Sequence, residues 1–99
     1  MAEVLDAAGV AEGIAGLDEG WSGDPTGIRR EVRLPSFPAA ISVVDRVAEV
    51  AEELDHHPDI DIRWRTLTFA CATHSAGGVT ARDFGLAARI DEIVRSATG

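Results

Sequence analysis

The change of apolar periodicity at Pro58 restricts the fold more than any other feature of this sequence. Before it, apolar residues follow a Ser36 cap and a first-turn Pro38 at intervals of three and four: Ile41, Val44, Val47, Ala51 and Leu54. This spacing predicts a helix of about five turns that ends near His57, because proline cannot continue helical hydrogen bonding. After it, apolar and polar residues alternate through two stretches, 60–64 and 67–72. The alternation predicts two strands, or one long bent strand, with one apolar face.

The remaining segments complete a mixed pattern. A short helix is predicted over Leu5 to Leu17 behind an Asp6 cap, although Gly9 and Gly13 each weaken it by about 1 kcal/mol relative to alanine. A hairpin with a Gly/Pro turn is predicted for 21–26 and 28–34, and a final helix opens with a Thr80-x-x-Asp83 capping-box variant. The order α-β-β-α-β-β-α indicates an α+β fold, a four-stranded antiparallel sheet packed on one face by helices.

Length and charge limit the function classes. At 99 residues the chain is expected to be a single domain spanning residues 1–99. A formal net charge of −8 argues against nucleic acid and membrane surfaces as partners, and no apolar run approaches the ~20 residues of a membrane span. Cys71 is the only cysteine, and the first 20 residues lack the pattern of a signal peptide. We therefore expect a cytoplasmic protein without an internal disulfide.

The three histidines lie at the edges of predicted elements. His56 and His57 end the long helix, and Pro58 pushes His57 out of helical geometry, so the two rings can point independently into one cleft. His74 ends the last strand, just before Ser75-Ala76-Gly77-Gly78, where glycines permit close approach of backbone to a ligand. These positions predict a shared site at the ends of the helix and the strand.

Structural interpretations of the same residues remain open. His56 and His57 would also serve as caps at the negative end of a helix dipole, and Asp83 would serve as a helix cap alone. The carboxylates around the histidine pair would be either simply solvated or close enough to hold an imidazole protonated: Asp55, Asp59 and Asp61. A His₃ zinc site is a further alternative, but adjacent histidines fit one tetrahedral centre poorly and Cys71 is expected in the core.

Two stretches together resemble the pterin-4a-carbinolamine dehydratase family. They are Glu52-Glu53-Leu54-Asp55-His56-His57-Pro58 and Thr73-His74-Ser75-Ala76-Gly77-Gly78-Val79-Thr80 followed by Asp83. The similarity in spacing covers roughly residues 16 to 95, including Gly20-Trp21 and the Phe37 start of the long helix. Members of this family have the α+β fold described above and form homodimers by sheet extension or homotetramers through their long helices.

The resemblance implies an enzyme that dehydrates 4a-hydroxytetrahydrobiopterin, or a related 4a-hydroxytetrahydropterin, to quinonoid dihydropterin during tetrahydrobiopterin recycling. It implies catalytic roles for four residues: His56, His57, His74 and Asp83. Among them we expect His56 and His74 to transfer protons and His57 to orient or bind the substrate. It also implies a substrate-binding role for four more: Asp55, Pro58, Thr73 and Ser75. Histidine suits such transfers because its ordinary pKa lies near neutral pH. The resemblance implies neither a metal nor an organic cofactor.

Some features depart from the family pattern or leave other functions open. Ile60 replaces a frequent aromatic residue, and Arg65 occupies a turn position where asparagine is frequent, which concerns pterin selectivity. Offshoots of the family without the histidines act as assembly factors, so a non-catalytic dimerisation or assembly factor is the main alternative. A metal-dependent hydratase is the second. The presence of all three histidines favours the enzyme.

Overall fold

The computed structural model describes residues 3–98, and these form three helices and a four-stranded sheet in the predicted order. The elements are α1 Ala7–Ala15, β1 Trp21–Asp24, β2 Gly27–Arg33, α2 Phe37–Leu54, β3 Asp59–Arg63, β4 Thr66–Cys71 and α3 Ala81–Thr98. The sheet order is β1-β2-β4-β3 and every neighbouring pair is antiparallel. The predicted α+β class is confirmed. Within the described residues, no helix is long and apolar enough to cross a membrane.

The central strand β4 carries the alternation that the sequence predicts. Leu67, Phe69 and Cys71 are buried on the helix-covered face, while Thr68 and Ala70 lie on the open face. The stretch 60–72 is two strands rather than one bent strand, because Trp64 takes a left-handed φ of 57° and turns the chain into β4. Trp64 itself is 69% exposed, since it lies in the turn at the end of an edge strand.

Helix α2 buries a slightly different row of residues from the one its spacing predicts. Its buried residues are Ala40, Val43, Val47, Val50 and Ala51, whereas Ile41 and Val44 are half-buried and Leu54 is exposed. The helix packs against α3 as well as covering the sheet, so its buried face is wider than a single stripe. It ends at Leu54 rather than near His57, because Asp55 adopts the left-handed conformation with φ 50° and ψ 45°.

A buried ion pair joins α3 to the sheet. Asp91 on α3 is buried, and its Oδ1 accepts hydrogen bonds from Arg30 Nη1 at 2.6 Å and Trp21 Nε1 at 2.8 Å. Its Oδ2 accepts the backbone N–H of Asp18 at 3.0 Å. The carboxylate therefore ties the α1–β1 connection, two strands and the last helix together, and it gives Arg30 a partner on the helix-covered face.

Helix α1 packs against β1 and α3. Asp6 caps it as predicted, its carboxylate accepting from Gly9 N at 2.8 Å. Gly13, which weakens the helix by itself, faces the Phe84 ring of α3 so closely that a Cβ there would lie 2.5 Å from a ring carbon. Glycine at position 13 thus lowers the helix propensity of α1 but allows α1 and α3 to pack closely.

Candidate active site

Two chain segments meet at the ends of α2 and β4. The left-handed turn at Asp55 ends α2, and His56 still donates its backbone N–H to Ala51 O at 3.0 Å, so neither His56 nor His57 lies inside the helix. After β4, a short bridge pairs Thr73 with Gly78, and Thr73 O accepts the N–H groups of Ala76 and Gly77 at 3.0 Å each. This compact turn carries His74 towards the histidine pair.

All three histidines line one pocket of about 220 Å³. Its lining is Asp55, His56, His57, Ala72, Thr73, His74, Ser75 and Arg82. Six of the eight residues that the resemblance implies are therefore together at this surface. Asp83 lies behind His56 rather than on the pocket wall, and Pro58 is not among the lining residues. The catalytic and binding roles of all eight remain predictions.

Asp83 and His56 form a buried pair beside the pocket. Asp83 is fully buried at 0% exposure, and its Oδ1 lies 2.6 Å from His56 Nε2. The other ring nitrogen, Nδ1, has no hydrogen-bond partner among residues 3–98, nor is it one of their two buried unpartnered side-chain atoms, Arg30 Nε and Arg65 Nε. Nδ1 therefore reaches solvent. The capping interpretation of Asp83 alone does not account for this contact.

The other two histidines are more exposed. His57 Nε2 lies 2.6 Å from Glu52 Oε1, a pair at the protein surface with both side chains more than half exposed. His74 is exposed and makes no salt bridge with a carboxylate within residues 3–98. The three imidazoles thus have three different environments: a buried carboxylate, an exposed carboxylate, and solvent.

Arg82 is a pocket residue that the sequence analysis missed. Its Nη2 donates to the backbone carbonyl of Asp55 at 2.7 Å, which joins the start of α3 to the turn before the histidine pair. Arg82 also lines a neighbouring cleft of about 280 Å³ together with His56 and Arg89. Its position directly before Asp83 in the first turn of the last helix is the only signal the sequence offers.

Cys71 lies in the core next to the site. Burial, and next the negative charges of Asp83 and Asp59, raise the pKa of its thiol to about 12. A thiol held in this protonated form is a poor nucleophile and a poor metal ligand. Among residues 3–98, no group of three or more His, Cys, Asp or Glu side chains is placed to hold a metal ion.

A larger hollow of about 730 Å³ lies on the open face of the sheet. Its lining is Arg29, Glu31, Asp59, Ile60, Asp61, Arg63, Thr66, Thr68 and Ala70. No histidine contributes to it, and its charged groups are exposed side chains that water already solvates. Chemistry therefore favours the smaller pocket as the candidate active site.

Comparisons with known proteins agree with the sequence resemblance. The profile of the family described as Pterin 4 alpha carbinolamine dehydratase matches residues 3–93. A protein of Nocardia farcinica is 54% identical over 94% of this chain and 97% of its own length, and one of Roseiflexus castenholzii is 51% identical over 95% and 100%. Both carry the name "Putative pterin-4-alpha-carbinolamine dehydratase".

Solved structures share the fold. A transcriptional coactivator/pterin dehydratase from Brucella melitensis superposes with a TM-score of 0.85 at 30% identity, covering 90% of this chain and 96% of that one. A pterin dehydratase-like protein described as a RuBisCO assembly factor in the alpha-carboxysome reaches 0.62 at 19% identity, covering 80% and 89%. At that identity the second likeness concerns the fold alone.

Proposed function

This chain belongs to the Pterin 4 alpha carbinolamine dehydratase family, and on that premise we propose that it removes water from a 4a-hydroxytetrahydropterin. The observation that carries the proposal is the convergence of His56, His57 and His74 on one pocket, with His56 backed by a buried carboxylate. The product is the quinonoid dihydropterin, and the substrate we expect is 4a-hydroxytetrahydrobiopterin. The reaction requires no cofactor in this proposal.

The proton balance assigns two roles. The C4a–O bond breaks and the oxygen leaves as water after receiving a proton from an acid. N5 loses its proton to a base, and an electron pair of N5 forms the new N5=C4a double bond. One proton enters and one departs, so two groups of near-neutral pKa suffice, each typically contributing ~10²–10⁴-fold.

We assign the proton transfers to His56 and His74. His56 Nε2 faces Asp83, so the nitrogen that exchanges a proton with substrate is Nδ1, which is open to solvent. His74 comes from the other segment, at the start of the turn after β4. His57 orients the ring from the rim, with Glu52 holding its Nε2. Asp55, Pro58, Thr73 and Ser75 keep their expected place as binding residues.

A kinetic comparison tests the proposal. The decay of a freshly prepared 4a-hydroxytetrahydropterin is followed by absorbance for the wild type and for His56→Ala, His57→Ala and His74→Ala, with the buffer rate subtracted. Loss of a proton-transfer group is expected to lower kcat by about 10²-fold or more. Arg63→Ala, in the larger hollow on the sheet, is the matched control and should keep the wild-type rate. A wild type no faster than buffer, or three histidine variants as fast as the wild type, would refute the dehydratase.

The alternative is a non-catalytic assembly factor on the same fold. Its support is the fold similarity to the protein described as a RuBisCO assembly factor. It predicts a defined partner whose binding survives replacement of all three histidines, alongside no dehydratase activity. The expected homodimer or homotetramer is a separate proposal, which light scattering of the purified protein tests.

A further inference from the structure

A row of buried hydroxyl groups lies behind the His56–Asp83 pair. Thr73 Oγ1 lies 2.8 Å from Asp83 Oδ2 and also 2.8 Å from Thr80 Oγ1. Thr80 N donates to Asp83 Oδ2 at 2.9 Å, and Arg82 N donates to Thr80 Oγ1 at 3.2 Å. Thr73 and Thr80 are both buried, the latter with 0% exposure. Thr80 has no functional assignment from the sequence beyond starting a helix.

Counting hydrogens gives this row a direction. Each threonine hydroxyl has one proton, and Thr73 donates its proton to Asp83. The bond between the two hydroxyls must therefore be donated by Thr80 and accepted by Thr73. Thr80 in turn accepts from the backbone N–H of Arg82. The donors thus run in one direction, from the first turn of α3 through Thr80 and Thr73 to the carboxylate.

The arrangement adds one contact to an ordinary helix cap. In a complete capping box the Thr80 hydroxyl would accept the N–H of Asp83, but that N–H goes to the backbone oxygen of Thr80 at 3.0 Å. Only the reciprocal half, from Thr80 N to the Asp83 carboxylate, is present. The Thr80 hydroxyl accepts the N–H of Arg82, as an N-cap oxygen does, and points its own proton inwards to Thr73. Helix capping uses the acceptor side of this hydroxyl and leaves its donation to Thr73 unexplained.

These hydrogen bonds determine how Asp83 contacts His56. Two donors occupy Asp83 Oδ2, so Oδ1 is the oxygen left for the imidazole, and the carboxylate is fixed against rotation. A carboxylate accepts hydrogen bonds and cannot donate one. His56 must then carry its proton on Nε2, and in the neutral ring the lone pair of Nδ1 is open to solvent.

We propose that Thr80 is a positioning residue which, through Thr73 and Asp83, fixes His56 in the tautomer with its proton on Nε2. Its kinetic consequence rests on the proposed dehydratase function, whereas its structural consequence does not. Groups that orient metal-bound histidines typically affect activity by about 10- to 100-fold, and we expect a loss in that range when the hydroxyl is removed.

The test compares Thr80→Val, which keeps the shape and removes the hydroxyl, with Thr80→Ser, which keeps the hydroxyl. Long-range ¹H–¹⁵N spectra of protein labelled in its histidines, taken at a pH where the rings are neutral, report the tautomer of His56. The wild type and Thr80→Ser should show the proton on Nε2 alone, and Thr80→Val a mixture of tautomers. Thr68→Val, the same change on the open face of the neighbouring strand β4, is the control and should resemble the wild type.

The kinetic arm adds a separate readout. Thr80→Val should lower kcat about 10- to 100-fold with KM changed less than about twofold, and Thr80→Ser should restore kcat. The proposal fails if Thr80→Val retains the wild-type tautomer. It also fails if neutral His56 of the wild type carries its proton on Nδ1, a result that depends on no variant. If the wild type has no dehydratase activity, the spectra still decide the role of Thr80, so the two failures are distinguishable.

Discussion

Alkaline pH should destabilise this protein through one side chain. The sequence has no lysine and no tyrosine, arginine titrates above about 12, and the α-amino group titrates near 8. Cys71 is therefore the only side chain whose ionisation falls between about pH 9 and 12. Its thiol is 1% exposed on the core face of β4, where burial and the charges of Asp83 and Asp59 oppose a thiolate.

The direction and size of this change in stability follow from the pKa of the thiol in the folded and in the unfolded protein. In the folded protein the pKa is about 12, whereas the ordinary pKa of an exposed cysteine is 9.0. Below pH 9 both states hold the proton and stability is unaffected. Above it the unfolded chain loses the proton first, so the free energy of unfolding falls by up to about 1.4 kcal/mol per pH unit. By pH 11 the loss is about 3 kcal/mol, roughly a fifth to a half of an ordinary domain stability of about 5–15 kcal/mol.

Urea unfolding followed by circular dichroism at pH 8, 9, 10 and 11, with reductant present, measures this slope. Cys71→Ala is the control: it should be less stable at pH 8 because of the cavity, but its stability should hardly change over the same range. The folded wild type should also resist alkylation by iodoacetamide at pH 9. Parallel pH curves for the wild type and Cys71→Ala would refute the reasoning.

Two core substitutions test the packing. Asp91→Asn turns an amide NH₂ towards at least one donor and removes the counter-ion of Arg30, whose side chain is 13% exposed. The free energy of unfolding should fall by about 3 kcal/mol, the lower end for a broken buried pair. The control Asp61→Asn, in a surface pair, should lower it by less than about 1 kcal/mol. Equal losses for the two variants in urea unfolding would contradict this. Gly13→Ala gains about 1 kcal/mol of helix propensity but sets a Cβ 2.5 Å from a Phe84 ring carbon, so we expect a net loss of about 1–2 kcal/mol. A higher melting temperature for this variant would show that α1 and α3 separate easily.

The sequence predicts those parts of the fold in which local periodicity and burial coincide. Strand β4 alternates because one of its faces lies against helices, and the Asp6 cap is set by residues three positions apart. Prediction fails where distant partners decide. Arg30 and Trp21 donate hydrogen bonds to Asp91, which lies 61 and 70 residues further along the chain. The residues next to each of the three in the sequence do not indicate this contact.

The candidate site shows the same division. The histidines were found because an unusual residue type occurs beside a proline and beside a glycine pair. Arg82 was missed because arginine at the start of a helix is an ordinary surface residue until its contact with the Asp55 carbonyl is seen. The Thr-x-x-Asp pattern predicts the helix cap at Thr80, but it does not reveal that the hydroxyl also donates to Thr73.

The pocket of about 220 Å³ and the hollow of about 730 Å³ on the open sheet face have no lining residue in common. The catalytic candidate uses residues between Asp55 and Arg82 at the ends of α2 and β4, and the hollow on the open sheet face uses a separate set from β2, β3 and β4. Mutations can accumulate on one surface while selection holds the other constant. A lineage of this fold can thus acquire a new role on its bare sheet before, or without, abandoning the histidine chemistry.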